Sequence, residues 1–262
     1  MLKALFGNQL QLGLAQAAVA ALAAMLVVLL ARKRGIHLET ETLIALVRGL
    51  VQIIAVGSIL VLLLRGPRWT SGILLAAMMV AAGATSARRA KGMPGAFSVS
   101  TWAIACGAGS VIAVMTWLGV IGTAITSLVP VGSMLIANAM NTNGLALNRF
   151  RSDVMAHVGE IETALALGAP ATGSVAPYVQ ASFEASLIPA IDSLRSLGIV
   201  WIPGLMAGML LSGARPVYAA IYQFVVLAMI LAASGLTSLV STLLIRERIF
   251  TVQEQLMLQP GR

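Results

Sequence analysis

Long stretches without a charged side chain dominate the chain. Residues 4–31, 92–148, 196–214 and 216–245 contain no Asp, Glu, Lys or Arg. The stretch 92–148 would extend about 85 Å as a single helix, well beyond a bilayer core of about 30 Å. We therefore expect it to fold back near residues 119–123 and to form two spans. The pattern is typical of an all-α, polytopic membrane protein.

The same pattern predicts seven transmembrane helices, with six or eight as alternatives because residues 186–196 are ambiguous. The whole chain, 1–262, is expected to form a single transmembrane domain. Residues 149–188, between the fifth and sixth spans, are expected to form a cytoplasmic helical coupling loop. The predicted spans cover about 8–31, 43–64, 69–87, 97–118, 124–147, 196–213 and 217–245.

Composition and charge agree with a membrane location. Hydrophobic residues make up 59% of the chain and charged residues 10%, whereas a soluble domain has about 25% charged residues. Basic residues on the inner side of a membrane protein outnumber those outside, which predicts an inner-membrane protein with its N-terminus outside and its C-terminus cytoplasmic. The net charge of +8 follows from this rule and from anionic lipid, and gives no support to nucleic-acid binding. The predicted inner loops hold Arg32, Lys33, Arg34, Arg88, Arg89, Lys91, Arg149, Arg151, Arg195, Arg246, Arg248 and Arg262, and the outer loops hold Lys3, Arg65, Arg68 and Arg215.

Enzyme chemistry finds little support. The chain has no G-x-x-x-x-G-K-[ST] motif to cradle ATP phosphates and no G-x-S-x-G nucleophile motif. His37, His157 and the single Cys106 are too scattered to form a zinc-type site. We therefore expect no catalytic residue, no resident metal and no cofactor in this chain, with any ATP hydrolysis in a partner subunit.

A short amphipathic segment precedes Gly168. Ser152 or Asp153 is the expected N-cap of its helix, and Gly168 is the expected residue just past its end. Such a helix, followed by Ala169 and Pro170, would form a knob that a partner's groove can approach closely. A helix lying on the bilayer interface is the alternative. The apolar stripe that supports both interpretations consists of Val154, Val158, Ile161 and Leu165.

Polar and helix-breaking residues within the apolar spans are candidates for a translocation pathway or gate. Breaks are expected around Pro130, Pro189 and Pro203, because proline removes a backbone donor that lipid cannot replace. Hydrogen bonds between helices and close small-residue packing are the alternative role for the polar residues. The candidate pathway residues are Asn138, Met140, Asn141, Asp192, Pro203, Gly204 and Gln223.

The acidic residues all fall on the predicted cytoplasmic side or close to it. A proton- or sodium-coupled carrier usually keeps a carboxylate near the middle of the membrane. The distribution therefore favours a driving force supplied by a partner. Asp192 and Arg195, three residues apart, are expected to form an ion pair at the inner end of the sixth span, with gating or partner contact as the alternative.

Four segments carry a family resemblance: VPVGSMLIANAM (129–140), LALGA (165–169), SLIPAIDSLRSLGIVWIPGLMAGMLLSG (186–213) and AIYQFVVLAMIL (220–231). They closely resemble the FetB-type permease family, which comprises ABC-transporter membrane subunits associated with iron export, with relatives linked to aluminium tolerance. The resemblance implies a permease homodimer paired with an ABC ATP-binding subunit on another chain. It places the coupling segment at Glu162, Leu167, Gly168 and Ala169.

The expected function is therefore that of an ABC-transporter permease subunit, exporting metal ions by family resemblance. An ion-gradient-driven secondary transporter of a small solute is the alternative, and a membrane-embedded scaffold or regulator is a third interpretation. The presumed path holds no carboxylate or imidazole cluster. A metal complex, a phosphorylated sugar or a lipid therefore fits its neutral interior as well as iron does.

Overall fold

The computed structural model describes residues 9–35, 37, 39–63, 67, 69–90, 92–251 and 253–258. These residues form ten α-helices and, apart from two isolated β-bridges, no strand. The chain divides into two compact units, residues 1–66 and 67–262. Whether it acts as a single permease domain remains a prediction.

The first unit is a pair of apolar helices, α1 (Gln9–Arg32) and α2 (Glu39–Leu63), which pack against each other. The turn between them includes Gly35 at φ 78°, a left-handed conformation that glycine adopts without strain. Arg32 Nε at the end of α1 lies 3.0 Å from Glu39 Oε1 at the start of α2, which forms an ion pair. Each charge also has the sign that its helix end favours. Most of the described side chains of this unit are exposed, as lipid-facing helices require.

The second unit is built around α10 (Pro216–Arg248), a helix of 33 residues. It begins with Pro216, and proline suits the first turn of a helix. Helices α4 (Ala96–Trp117) and α5 (Ile125–Ala156) pack closely on α10, and α3 (Trp69–Ala87) packs on both of them. A π-helical turn at Ala105–Gly109 interrupts α4. The other helices of this unit are α6 (Val158–Ala166), α7 (Ala171–Ser174), α8 (Ala176–Arg195) and α9 (Gly204–Leu211).

Two buried apolar clusters hold this unit together. The first joins α3, α4, α5 and α10 through residues such as Ile104, Leu135 and Val226. The second lies at the Arg248 end of α10 and includes Phe150 of α5 and Ile245 of α10. The second cluster also contains residues of α6, α7 and the chain after α10, so it anchors the short helices to the long ones.

Five of the described helical segments are long and apolar enough to cross a membrane: Gln11–Arg32, Glu39–Ser58, Trp69–Ala90, Ala96–Trp117 and Pro216–Arg248. The expectation of an all-helical membrane protein is thus confirmed, and these segments overlap the first four predicted spans and the last. The predicted count of seven spans is not reached by this measure. Helix α5 has 32 residues and would extend about 48 Å, which is long enough to cross a membrane. It carries many polar side chains, however, and is not one of these five apolar segments.

The fifth and sixth predicted spans differ from the helices observed. Helix α5 continues nine residues beyond the predicted end at 147, to Ala156, so the predicted coupling loop begins inside a helix. The predicted span 196–213 contains turns and an isolated β-bridge between Leu197 and Trp201, and then the eight-residue α9. The long helix of this region is α8, which ends at Arg195, where the span was predicted to begin.

Two of the three predicted helix breaks are wrong. Helix α5 runs through Pro130, the sixth residue of the helix, without a break. Helix α8 runs through Pro189, and Ser193 Oγ donates to the Pro189 carbonyl at 2.8 Å. Only at Pro203 does the proline stand outside a helix, as the N-cap of α9 at φ −65° and ψ 142°.

Candidate coupling surface and pathway residues

The apolar stripe of the predicted coupling segment faces the protein interior. Val154 and Ile161 are fully buried, and Val158 and Leu165 pack partly buried on the same second cluster. The stripe therefore contacts other side chains of this chain, and a helix lying with that stripe in the bilayer interface does not fit. The opposite face of α6, which includes Glu162 and Thr163, is exposed.

The beginning of α6 differs from the prediction. Ser152 and Asp153 lie within α5, and the N-cap position of α6 is His157, whose side chain makes no capping bond. The His157 ring stacks on Tyr178 of α8 at a centroid distance of 5.0 Å. Tyr178 Oη also donates to Glu160 Oε2 at 3.3 Å. Burial, and then the Glu160 charge, raise the pKa of Tyr178, so the phenol remains a donor at neutral pH. These contacts join α6 to the start of α8.

The end of α6 has the predicted form. Gly168 has φ 87°, and its N–H donates to the Leu165 carbonyl at 2.9 Å, while the Ala169 N–H donates to the Ala164 carbonyl at 3.0 Å. This pair of bonds is the Schellman motif, which confirms Gly168 as the residue just past the helix end. The motif leaves the Leu167 side chain 84% exposed. Glu162, Leu167, Gly168 and Ala169 thus form an exposed or half-exposed knob, called here the α6 knob.

The chain after α10 folds back beside α6, a feature that the sequence analysis missed. In this C-terminal hairpin (249–251 and 253–258), the Met257 N–H donates to the Ile249 carbonyl at 2.8 Å. Leu256 and Leu258 are buried in the second cluster, and their alternate spacing was the available sequence signal. A polar cleft of about 420 Å³ separates the hairpin from α6, with Glu162 and Glu254 among its lining residues.

The candidate pathway residues of α5 lie in three different settings. Asn138 Nδ2 donates to the Met134 carbonyl of its own helix at 2.9 Å. Met140 packs on the first apolar cluster, and Asn141 is exposed. The structure therefore does not gather these three side chains around one site.

The other candidate pathway residues lie on α8, α9 and α10. Asp192 is exposed and its Oδ1 lies 3.7 Å from Arg195 Nη1, which confirms the expected ion pair. Pro203 is buried and Gly204 is exposed at the start of α9. Gln223 of α10 is buried, and its Oε1 has no hydrogen-bond partner among the described residues.

A set of buried hydroxyl and amide groups runs between the long helices, and sequence reasoning missed it as well. Asn143 Nδ2 donates to Ser86 Oγ at 2.6 Å, and Ser186 Oγ lies 2.7 Å from Ser238 Oγ. The repeat of hydroxyl residues at helical spacing along α10 was the signal that could have revealed it. This polar seam comprises Ser86, Ser100, Thr142, Asn143, Ser182, Ser186, Ser234, Thr237, Ser238, Ser241 and Thr242.

Within the described ranges, no group of three or more His, Cys, Asp or Glu side chains could hold a metal ion. The neutral oxygen groups of the polar seam could contact a hydrated or chelated ion, but they supply no anionic ligand of the kind that a bare trivalent ion requires.

Comparison with known proteins identifies the family of this chain. The model of the uncharacterised protein family UPF0014 matches residues 14–250. The chain is 32% identical over 241 residues to the probable iron export permease protein FetB of Escherichia coli (strain K12), which covers 90% of this chain and 93% of the relative. It is 31% identical over 255 residues to the UPF0014 membrane protein STAR2 of Oryza sativa subsp. japonica, with 96% and 88% covered. It is 30% identical over 247 residues to the protein ALUMINUM SENSITIVE 3 of Arabidopsis thaliana, with 93% and 90% covered. No solved structure matches it. The resemblance to FetB-type permeases is confirmed, and the chain belongs to the UPF0014 family of membrane proteins.

Proposed function

We propose that this chain is the membrane-spanning permease subunit of an ABC transporter in the cytoplasmic membrane. A separate ATP-binding subunit drives it, and two permeases assemble with two such subunits. Its substrate is a metal ion or metal complex that it exports. The relationship to a probable iron export permease supports the substrate class, and the neutral interior favours a hydrated or chelated form over a bare ion.

The observation that carries the proposal is the α6 knob. A helix of nine residues buries one face in the protein and ends in a Schellman turn that presents Leu167 almost fully to solvent. An exposed leucine at a rigid helix end has no role in the fold of the isolated chain, whereas an apolar anchor is what a partner's groove requires. The second cluster transmits a push on this knob to α5 and α10.

The charge distribution also supports a driving partner. The buried polar residues of the described chain include no Asp or Glu, and Asp192 is exposed beside Arg195. A carrier driven by protons or sodium ions would place a carboxylate where burial can shift its pKa. A partner that hydrolyses ATP requires no such group in this chain.

The test is co-purification of the chain with the ABC ATP-binding subunit encoded beside it, for the native chain and for Leu167→Asp. Leu167 makes little contact within the chain, so the charge leaves folding intact and removes the anchor. We expect ATPase capture by the native chain and at least a tenfold loss with Leu167→Asp.

The matched control is Ala156→Asp. Ala156 is also exposed but is the last residue of α5, so the nine residues of α6 separate it along the chain from Leu167. Capture should persist in this control. Failure of the native chain to capture the ATPase would contradict the proposal. Equal capture by Leu167→Asp and Ala156→Asp would show that the α6 knob is not where the ATPase binds.

A further inference from the structure

Three hydroxyl groups on one face of α10 have unusual surroundings. Ser234, Thr237 and Ser241 are all fully buried, and none of their hydroxyl oxygens has a partner among the described residues. Their spacing, i, i+3 and i+7, places them along one side of the helix. A buried hydroxyl in a membrane helix ordinarily bonds to the carbonyl one turn earlier. Thr242 does so, donating to the Ser238 carbonyl at 2.9 Å.

Thr237, the middle one of these three residues, lies against α4 at its π-helical turn. The backbone of Gly107 lies so close to Thr237 that a Cβ atom there would overlap both its side chain and its backbone. Ser100 of α4 is also fully buried, and its Oγ has no partner among the described residues. Unpaired oxygens thus occur on both helices. Single π-helical turns inside α-helices are frequently found at functional sites.

The adjacent face of α10 contacts α8. Ser238 Oγ lies 2.7 Å from Ser186 Oγ of α8, and both side chains are buried. The start of α8 contacts α6 through Tyr178, His157 and Glu160. A continuous set of contacts therefore runs from α6 through α8 to α10, where Ser238 is next to Thr237 in the chain.

We propose that the α4–α10 interface is a gate, closed in this structure, and that Ser100, Ser234, Thr237 and Ser241 line a water-filled path when it opens. Water then supplies the hydrogen bonds that these oxygens lack in the closed state. A lining of neutral oxygens suits a small hydrophilic solute that keeps its own hydration or chelating ligands. This inference rests on the proposed function and extends it to residues of the path.

The test is cysteine accessibility in a Cys106→Ala background, with Thr237→Cys and the more conservative Ser241→Cys. The reagent is the charged 2-sulfonatoethyl methanethiosulfonate, which requires water to reach a thiol. The thiolate displaces sulfinate and forms a mixed disulfide, so no further oxidant is needed. Leu239→Cys and Leu243→Cys, partly exposed on other faces of α10, are the lipid-facing controls.

The permease is reconstituted in vesicles with the ATP-binding subunit, and capture of that subunit is measured in the same samples. We expect the modification rate at Thr237→Cys and Ser241→Cys to rise at least tenfold when ATP is hydrolysed, with the controls unchanged. Captured ATPase with no increase at either position would overturn the gate and leave the proposed function standing.

If the ATPase is not captured, the proposed function fails, and the gate is then tested by the modification rates of the permease without the ATPase. Modification at Thr237→Cys and Ser241→Cys faster than at the two controls would then support spontaneous opening. Rates no faster than those of the controls would overturn the inference.

Discussion

At the scale of single residues, glycines set how closely the long helices approach. A Cβ atom placed on Gly107 would lie 2.6 Å from the Thr237 backbone nitrogen and 2.8 Å from its Cα. Because backbone atoms cannot turn aside as a side chain can, only a residue without a Cβ atom allows the approach of α4 to α10 seen in this structure. Gly83 of α3 stands in a similar relation to Thr101 of α4. The bundle therefore depends on small residues, as membrane helices commonly do.

Gly107→Ala should destabilise the protein by about 1–3 kcal/mol, the usual cost of overpacking a well-packed core. The matched control is Gly109→Ala, two residues later in the same turn. There the nearest atom to a new Cβ is the flexible Met79 Cε at 3.4 Å, so the change should be neutral. Thermal unfolding of the detergent-solubilised protein measures both. Equal melting temperatures for the two variants would show that α4 and α10 are not in close contact.

Ser86→Ala should cost about 1–3 kcal/mol, because it leaves the buried Asn143 amide group without its partner. In the native chain that amide donates to Ser86 Oγ at 2.6 Å. The control is Asn141→Ala, at an exposed position of α5, the helix that contains Asn143. This change should alter the melting temperature little. A Ser86→Ala protein as stable as the native one would mean that Asn143 finds another acceptor.

At the scale of elements, the second cluster joins parts of the chain that are far apart in sequence. It packs α6 and α7 with the ends of α5 and α10 and with the C-terminal hairpin. Helix α6 has only nine residues, too few to be stable alone in water. Its position, and with it the orientation of the α6 knob, is therefore set by tertiary contacts.

Leu256→Asp tests this dependence. Leu256 is 7% exposed, and losing its burial should remove about 1.5–3 kcal/mol of local stability. Amide hydrogen exchange should then accelerate in residues 253–258 and in α6 together. Met257→Asp, at a neighbouring position that is 44% exposed, should leave exchange in α6 unchanged. Faster exchange confined to the hairpin would show that α6 does not depend on it.

The elements that the sequence predicts well are those that short-range patterns determine. Charge-free apolar runs placed α3 at residues 69–87, where the structure has it, and the isolated Gly168 marked the end of α6. Helix α8 is longer than expected, because Pro189, where a break was predicted, lies inside the helix, which continues to Arg195. The C-terminal hairpin and the polar seam were missed because they arise from contacts between distant segments. Hydroxyl spacing along α10 shows that these groups share a face, but not which helix they meet.

At the scale of the whole molecule, the proposed function requires one orientation in the membrane. In the proposed complex the ATP-binding subunit is cytoplasmic, which requires the α6 knob to lie on the cytoplasmic side. The positive-inside rule predicts this orientation from the basic residues alone. It also places the turn between α4 and α5 outside.

Labelling of single cysteines in intact cells tests this orientation, in a Cys106→Ala background with a membrane-impermeant maleimide. Thr123→Cys lies in the turn between α4 and α5, and Thr172→Cys lies in α7 beside the α6 knob; both positions are exposed, so accessibility within the protein does not limit either. We expect Thr123→Cys to react in intact cells and Thr172→Cys to react only after permeabilisation. The reverse pattern would place the α6 knob outside, where no cytoplasmic ATPase could reach it, and would contradict both the predicted topology and the proposed coupling.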